Sequence, residues 1–162
     1  MSFFEWLAQT PYVQWVQESW GWPVALTLHA FGTATIVGLM AIITLRMLGL
    51  FRTIPYSTVQ WLIPFIWVAL VVQVASGLTL WMTKPVQYLS DGMFEVKMIF
   101  LLASIIVTVI FQRIVRSEVA NWDAGRKATP RGARIAAATG LLWAAVLIGG
   151  RLTAYLGSLY PS

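Results

Sequence analysis

The chain has 162 residues, of which 59% are hydrophobic and 10% charged, with a mean hydropathy of +0.75, a composition outside that of ordinary soluble domains. The formal charge of +5 comes from basic residues dispersed between apolar runs, where membrane topology accounts for them and nucleic-acid binding does not. With no cysteine, disulfides, thiolate metal sites and iron–sulfur clusters are excluded, so any redox chemistry must come from a bound cofactor.

The opening segment, SFFEWLAQTPYVQWVQESW, alternates apolar and polar residues with roughly helical spacing and is interrupted by Pro11. It predicts a helix lying in the membrane interface over about residues 2–20. Glu5 stands where a signal peptide would be basic, and no small-residue cleavage site follows, so the segment is expected to be retained. No charge then occurs from Ser19 to Leu45 or from Thr53 to Thr83, and each run exceeds the ~20 residues that a membrane-spanning helix needs. The third and fourth apolar runs, Lys97 to Arg113 and Arg134 to Arg151, are clean for only about 15 residues, so each span must take in a charge. The predicted spans lie near residues 22–48, 57–82, 93–117 and 133–158. The fold class is therefore an all-α integral membrane bundle of four transmembrane helices with an N-terminal interfacial amphipathic helix, in a single domain.

Basic residues crowd the first connection (Arg46, Arg52) and the third (Arg113, Arg116, Arg126, Lys127, Arg131, Arg134). Those connections are expected in the cytoplasm and both termini outside, periplasmic in a bacterial inner membrane. Trp20, Trp22, Trp81 and Tyr88 then fall in an outer aromatic belt.

Three ionisable residues share a depth in this topology. His29, the only histidine, lies about 9 Å below Pro23, Lys97 about 6 Å below Met93, and Arg151 about 12 Å below Leu159, at ~1.5 Å per helical residue. They come from the first, third and fourth spans, and such groups usually face a bundle interior or a wet cavity. Each also has a plain structural role open to it. The imidazole can hydrogen-bond a neighbouring helix, and Lys97 and Arg151 can snorkel to the headgroups. A common site would suit haem: neutral imidazole is a usual axial ligand, and the propionates would suit Arg151 or, for the opposite orientation, Arg46. Ala30, Gly32, Thr33 and Ala34 leave room for a ring or for close helix packing. A second ligand is Lys97, if its amine is neutral, or Met82, Met93 or Met98. Tyr155 lies one turn from Arg151 on the same face. Gln73, Ser76 and Gly77 share a face of the second span, where such groups either line a cavity or pack and hydrogen-bond between helices; they are read as packing and hydrogen-bonding groups.

The segments TLHAFG, TLRMLGL, FEVKMIFLL and LLWAAVLIGGRLTAY together resemble a bacterial family of four-helix membrane proteins of unknown function, over nearly the whole chain. More distantly, His29 and Lys97 resemble the histidine and lysine of HemJ-type protoporphyrinogen oxidases and CopD-like membrane domains. The resemblance to the HemJ type implies haem b binding at His29 and Lys97. The four-helix family often carries a second histidine where this chain has Gln112 in VIFQRIV, so one haem is expected, not two.

The expectation is a membrane haem b protein in electron transfer or quinone- or porphyrin-linked oxidation. His29 and Lys97 are the candidate metal ligands, and Arg151, Tyr155 and Thr33 complete the cofactor site. Two alternatives stand beside it. One is a non-enzymatic accessory or assembly subunit of a larger membrane complex, or a homo-oligomer. The other is copper or small-solute transport, although the methionines show no short-spaced ligand pattern.

Overall fold

The computed structural model describes residues 3–90, 92–125 and 127–159, with side chains as far as 152. Seven helices follow in order: α1 (Phe3–Ala8), α2 (Pro11–Glu18), α3 (Gly21–Met47), α4 (Ser57–Thr83), α5 (Pro85–Leu89), α6 (Gly92–Gly125) and α7 (Pro130–Leu159). Prolines open α2, α5 and α7, where the missing N–H has no intrahelical partner to lose. Four helices, α3, α4, α6 and α7, are long and apolar enough to cross a membrane, and the protein is a multi-pass membrane protein. At 27 residues, α3 and α4 are each about 40 Å long, which covers a ~30 Å hydrocarbon core with a turn or more to spare.

The four spans form a ring in which α3 packs on α4 and α7, α6 packs on α7, and α4 meets α6 over a smaller area, while α3 and α6 lie diagonally opposite without contact. Inward-facing positions recur every three or four residues. On α3 they are Ala25, Gly32, Ile36, Met40, Ile43 and Met47; on α6 they are Ser104, Thr108, Phe111, Val115 and Trp122. On α7 the buried Ala136, Thr139, Trp143 and Val146 follow the same rule. Large apolar side chains such as Phe31, Trp61, Val71 and Ile99 point the other way and stay exposed, as a lipid-facing surface requires. Polar side chains join the helices along their length. Trp67 donates to Gln112 at 3.0 Å, Trp143 to Thr108 at 3.0 Å, and Thr44 to the Ala136 carbonyl at 3.0 Å.

The expected single interfacial helix is two helices, because Pro11 lacks the N–H that would continue α1. The third span runs on to Gly125 instead of ending near 117. Its extra turns are held at what we call the inner end of the bundle, where the α3–α4 and α6–α7 connections meet. There the α3 helix ends in a Schellman motif, with Gly49 at φ 96° and N–H bonds from Gly49 to Arg46 and from Leu50 to Leu45. Both Asp123 carboxylate oxygens accept backbone N–H groups, of Tyr56 and of Ser57. A side chain of α6 thereby caps the first turn of α4, where unpaired donors and the helix dipole favour an anion. Trp122 stands edge-on to Tyr56 at 5.9 Å and donates to Glu118, which also accepts from Thr129. Tyr56 in turn accepts the Ala128 N–H.

Candidate functional site at the outer end of the bundle

The inward stripes continue toward the opposite, outer end, and there they carry polar residues. On α3 the position between Ala25 and Gly32 is His29, half-buried. On α6 the position one turn before Leu101 is Lys97, also half-buried. On α4 the stripe carries Gln73 and Ser76, both buried. In a bilayer an inward register is the one place where such groups find partners.

His29 is held entirely by α4. Its Nδ1 lies 3.1 Å from the Gln73 main-chain oxygen and 3.3 Å from Ser76 Oγ. A carbonyl oxygen only accepts, so Nδ1 carries the proton. Ser76 gives its own hydrogen to the Val72 carbonyl at 2.7 Å and offers Nδ1 a second acceptor. The other ring nitrogen, Nε2, lies 2.9 Å from Gln73 Nε2, so its lone pair accepts from the carboxamide in a neutral ring. The Gln73 side-chain oxygen is left buried without a partner, an arrangement that costs about 1–3 kcal/mol.

Two glycines make this pairing possible, one on each helix. A Cβ on Gly77 would stand 2.9 Å from His29 Cε1, and a Cβ on Gly32 would stand 2.7 Å from Gln73 Oε1. Each large side chain thus lies in the notch that the partner helix opens for it. Thr33 is one turn along, with its hydroxyl bonded back to the His29 carbonyl at 2.9 Å, so it stiffens the turn that carries His29 and makes no bond to the imidazole.

Lys97 approaches from the diagonal helix. Its stem lies along the Gly149–Gly150 pair of α7, where a Cβ on Gly150 would stand 3.6 Å from both Cε and Nζ. It stands at the same end of the bundle as His29, and among the described residues its ammonium has no hydrogen-bond partner. The structure therefore places His29 and Lys97 at the same end of the bundle, the one against α4 and the other against α7. It does not turn Arg151 inward with them. Gly150 takes the inward position four residues after Val146, and Arg151, about 100° further round the helix, is exposed. The Tyr155 side chain lies outside the described residues. Arg46 is also separate: it is buried at the inner end, donates Nε–H to the Ile54 carbonyl, and sits with its guanidinium carbon 3.7 Å from the Tyr56 ring centroid. Its role is to fasten the α3–α4 turn, which corrects the propionate-binding role considered for it. Of the methionines weighed as second ligands, Met98 is exposed, and Met82 and Met93 are half-buried.

The outer end is covered on one side by α1 and α2. Gln17 donates to the Thr83 carbonyl at 3.0 Å, Tyr12 and Thr79 share a hydrogen bond of 3.0 Å, and Phe4 meets Trp81 edge-on at 6.2 Å. Between α2, α3 and α4 a groove of about 560 Å³ opens sideways, lined by apolar side chains and by Tyr12, Ser76 and Thr79. Ser76 thus faces the groove and lies beside the imidazole. No family model, no curated protein and no solved structure matches this chain. Among the described residues no group of three or more His, Cys, Asp or Glu side chains stands together as a metal site.

Sequence reasoning singled out His29 and Lys97 but set Gln73, Ser76 and Gly77 aside as packing groups. Their i, i+3, i+4 spacing on one face was the available signal. That they face His29 needed the relative depth of two antiparallel helices, which spacing within one helix does not give.

Proposed function

We propose that the protein binds haem b in the outer half of the membrane, through His29, and serves electron transfer or quinone- or porphyrin-linked oxidation. The observation that supports this reading is the placement of His29 and Lys97, on diagonal helices, at the same end of the bundle and at positions continuing the inward stripes. The donor chemistry fits. A main-chain carbonyl fixes the proton on Nδ1 and leaves the lone pair on Nε2, as second-shell partners do for metal-ligating histidines. Lys97 supplies an amine for the second position or a cation for a propionate, and the glycines of α7 give it room. The Gln73 carboxamide stands before Nε2 and has to move aside, and its unpartnered oxygen lowers what it loses by doing so.

When bound, haem supplies one-electron chemistry at its iron. The chain's own residues orient the imidazole and place a cation at the same end of the bundle. By the distribution of basic residues, we infer that both termini lie outside a bacterial inner membrane. Protein purified after expression with ample haem tests the reading: a Soret band is expected, and His29→Ala should remove it. A colourless wild-type protein would count against it.

A second reading has its own observation. Both imidazole nitrogens are already bonded to α4, which suits a histidine whose task is to join α3 to α4 in an accessory subunit of a larger membrane complex. Co-purification of a stoichiometric partner by a colourless protein, with His29→Ala weakening the bundle, is the outcome expected from it.

A further inference from the structure

None of His29, Gln73 and Lys97 lines the groove between α2, α3 and α4, and its walls define a separate kind of occupant. One wall runs along α4 from Val71 through Ala75 to Thr79, the facing wall along α3 from Gly21 to Leu28, and Tyr12, Trp15 and Val16 of α2 form the third side. Both long walls belong to membrane-spanning helices, and Val24, Leu28 and Val71 stay exposed on them. The opening therefore faces hydrocarbon, and a species dissolved in the bilayer is what reaches it. From Val71 to Thr79 the wall is about 12 Å long at ~1.5 Å per residue, most of the ~15 Å of hydrocarbon in one leaflet of a ~30 Å core. A volume of about 560 Å³ spread over that length is a mean cross-section of roughly 50 Å², whereas a helix about 10 Å across needs about 80 Å². The groove is too slender for a helix of another chain and has the proportions of extended hydrocarbon lying along the spans. Its chemistry agrees. The lining has no charged side chain, and its three hydroxyls have committed their hydrogens: Ser76 to the Val72 carbonyl at 2.7 Å, Thr79 to the Ala75 carbonyl at 3.1 Å, and Tyr12 to the Thr79 oxygen at 3.0 Å. The remaining side-chain donors are the indoles of Trp15 and Trp20, both exposed, at the end of the groove beside the start of α3. A phosphate or carboxylate drawn inside would lose its hydration without compensation, and a hydrocarbon chain loses nothing.

We propose that this groove seats one acyl chain of a phospholipid from the leaflet at the outer end of the bundle, with the headgroup left at the level of Trp15 and Trp20, where indoles suit the membrane interface. Recognition is by the chain and not by the headgroup, because the lining offers apolar area and no charge. The seated chain also adds apolar contact to α2, whose buried residues are Val13 and Val16 alone, so the lipid joins the interfacial helix to the α3–α4 pair. This inference is independent of what His29 binds.

The full chain, reconstituted in vesicles of palmitoyl-oleoyl phosphatidylcholine and then extracted into a mild detergent, tests this by native mass spectrometry of the phospholipid it retains. The wild type should keep one phospholipid per chain. Ala75 is exposed in the groove wall, so Ala75→Trp fills the seat without entering the core. Retention should then fall about tenfold, the factor that lost contact with two methylenes already gives. Leu102→Trp, at an exposed position of α6, adds a large side chain outside the groove and should keep the lipid. If Ala75→Trp does not fold, Val24→Trp fills the groove from the α3 wall. Vesicles of palmitoyl-oleoyl phosphatidylglycerol should give the same count as phosphatidylcholine. A wild type that keeps no phospholipid, equal retention by the wild type and the groove-filling variant, or retention from phosphatidylglycerol alone would each overturn the proposal. A lipid-free dimer that Ala75→Trp converts to a monomer would also overturn it, by putting a second copy of the chain in the groove.

Discussion

The two ends of the bundle are built from the same kinds of residue and differ in how completely those residues are satisfied. At the inner end Arg46, Tyr56, Glu118, Trp122, Asp123 and Thr129 interlock across α3, α4, α6 and both inner connections, and no buried side-chain polar atom there is left without a partner among the described residues. At the outer end Gln73 has an orphaned oxygen, Lys97 has no hydrogen-bond partner among the described residues, and a groove opens beside Ser76. Networks that close on themselves specify a structure, whereas polar groups left incomplete inside a membrane usually mark a site that something else completes. The inner end is the fastening, and the outer end is where the proposed site lies.

Substitutions should separate the ends. The largest loss of stability is expected from Trp122→Ala, which empties a fully buried position between Tyr56 and Gly132. A cost of about 3–5 kcal/mol would appear as a lowered unfolding midpoint in detergent, with the absorption spectrum of the remaining folded protein unchanged. Asp123→Ala should follow, at about 2–3 kcal/mol, because it strips two backbone donors of α4 of their charged acceptor. Gly77→Val should reverse the pattern. Its side chain would press on His29 Cε1, so haem uptake is lost while stability falls by only about 1–3 kcal/mol. Arg151→Ala, at an exposed position outside the outer group, should change stability by under about 0.5 kcal/mol and leave the spectrum in place. A spectrum abolished by Arg151→Ala but kept by Gly77→Val would invert the assignment of the site.

The four spans were readable because an apolar run of sufficient length has one structural solution in lipid. Which face of each helix turns inward was much less readable. Lipid accepts Phe31 and Val71 as readily as the core accepts Ile36 and Ile66, so apolar periodicity carries little contrast in these helices. The contrast lies in small and polar residues, and on that basis His29 and Lys97 stood out. Arg151 looked equivalent to them by depth alone. Its position one residue past Gly150 turns it about 100° away, and depth does not register that difference. The extension of the third span past 117 is not legible in the sequence, because membrane topology alone accounts for the charges of that connection. Glu118 and Asp123 are in fact spent on Trp122, Thr129 and the start of α4, and those contacts extend the helix to Gly125.

The visible absorption spectrum of the wild-type protein beside that of His29→Ala, both purified after expression with ample haem, tests the central claim most directly. A Soret band in the wild type that disappears in a folded His29→Ala protein is the predicted result. A band of equal height in both, or in neither, would contradict the assignment of the outer end as a haem site.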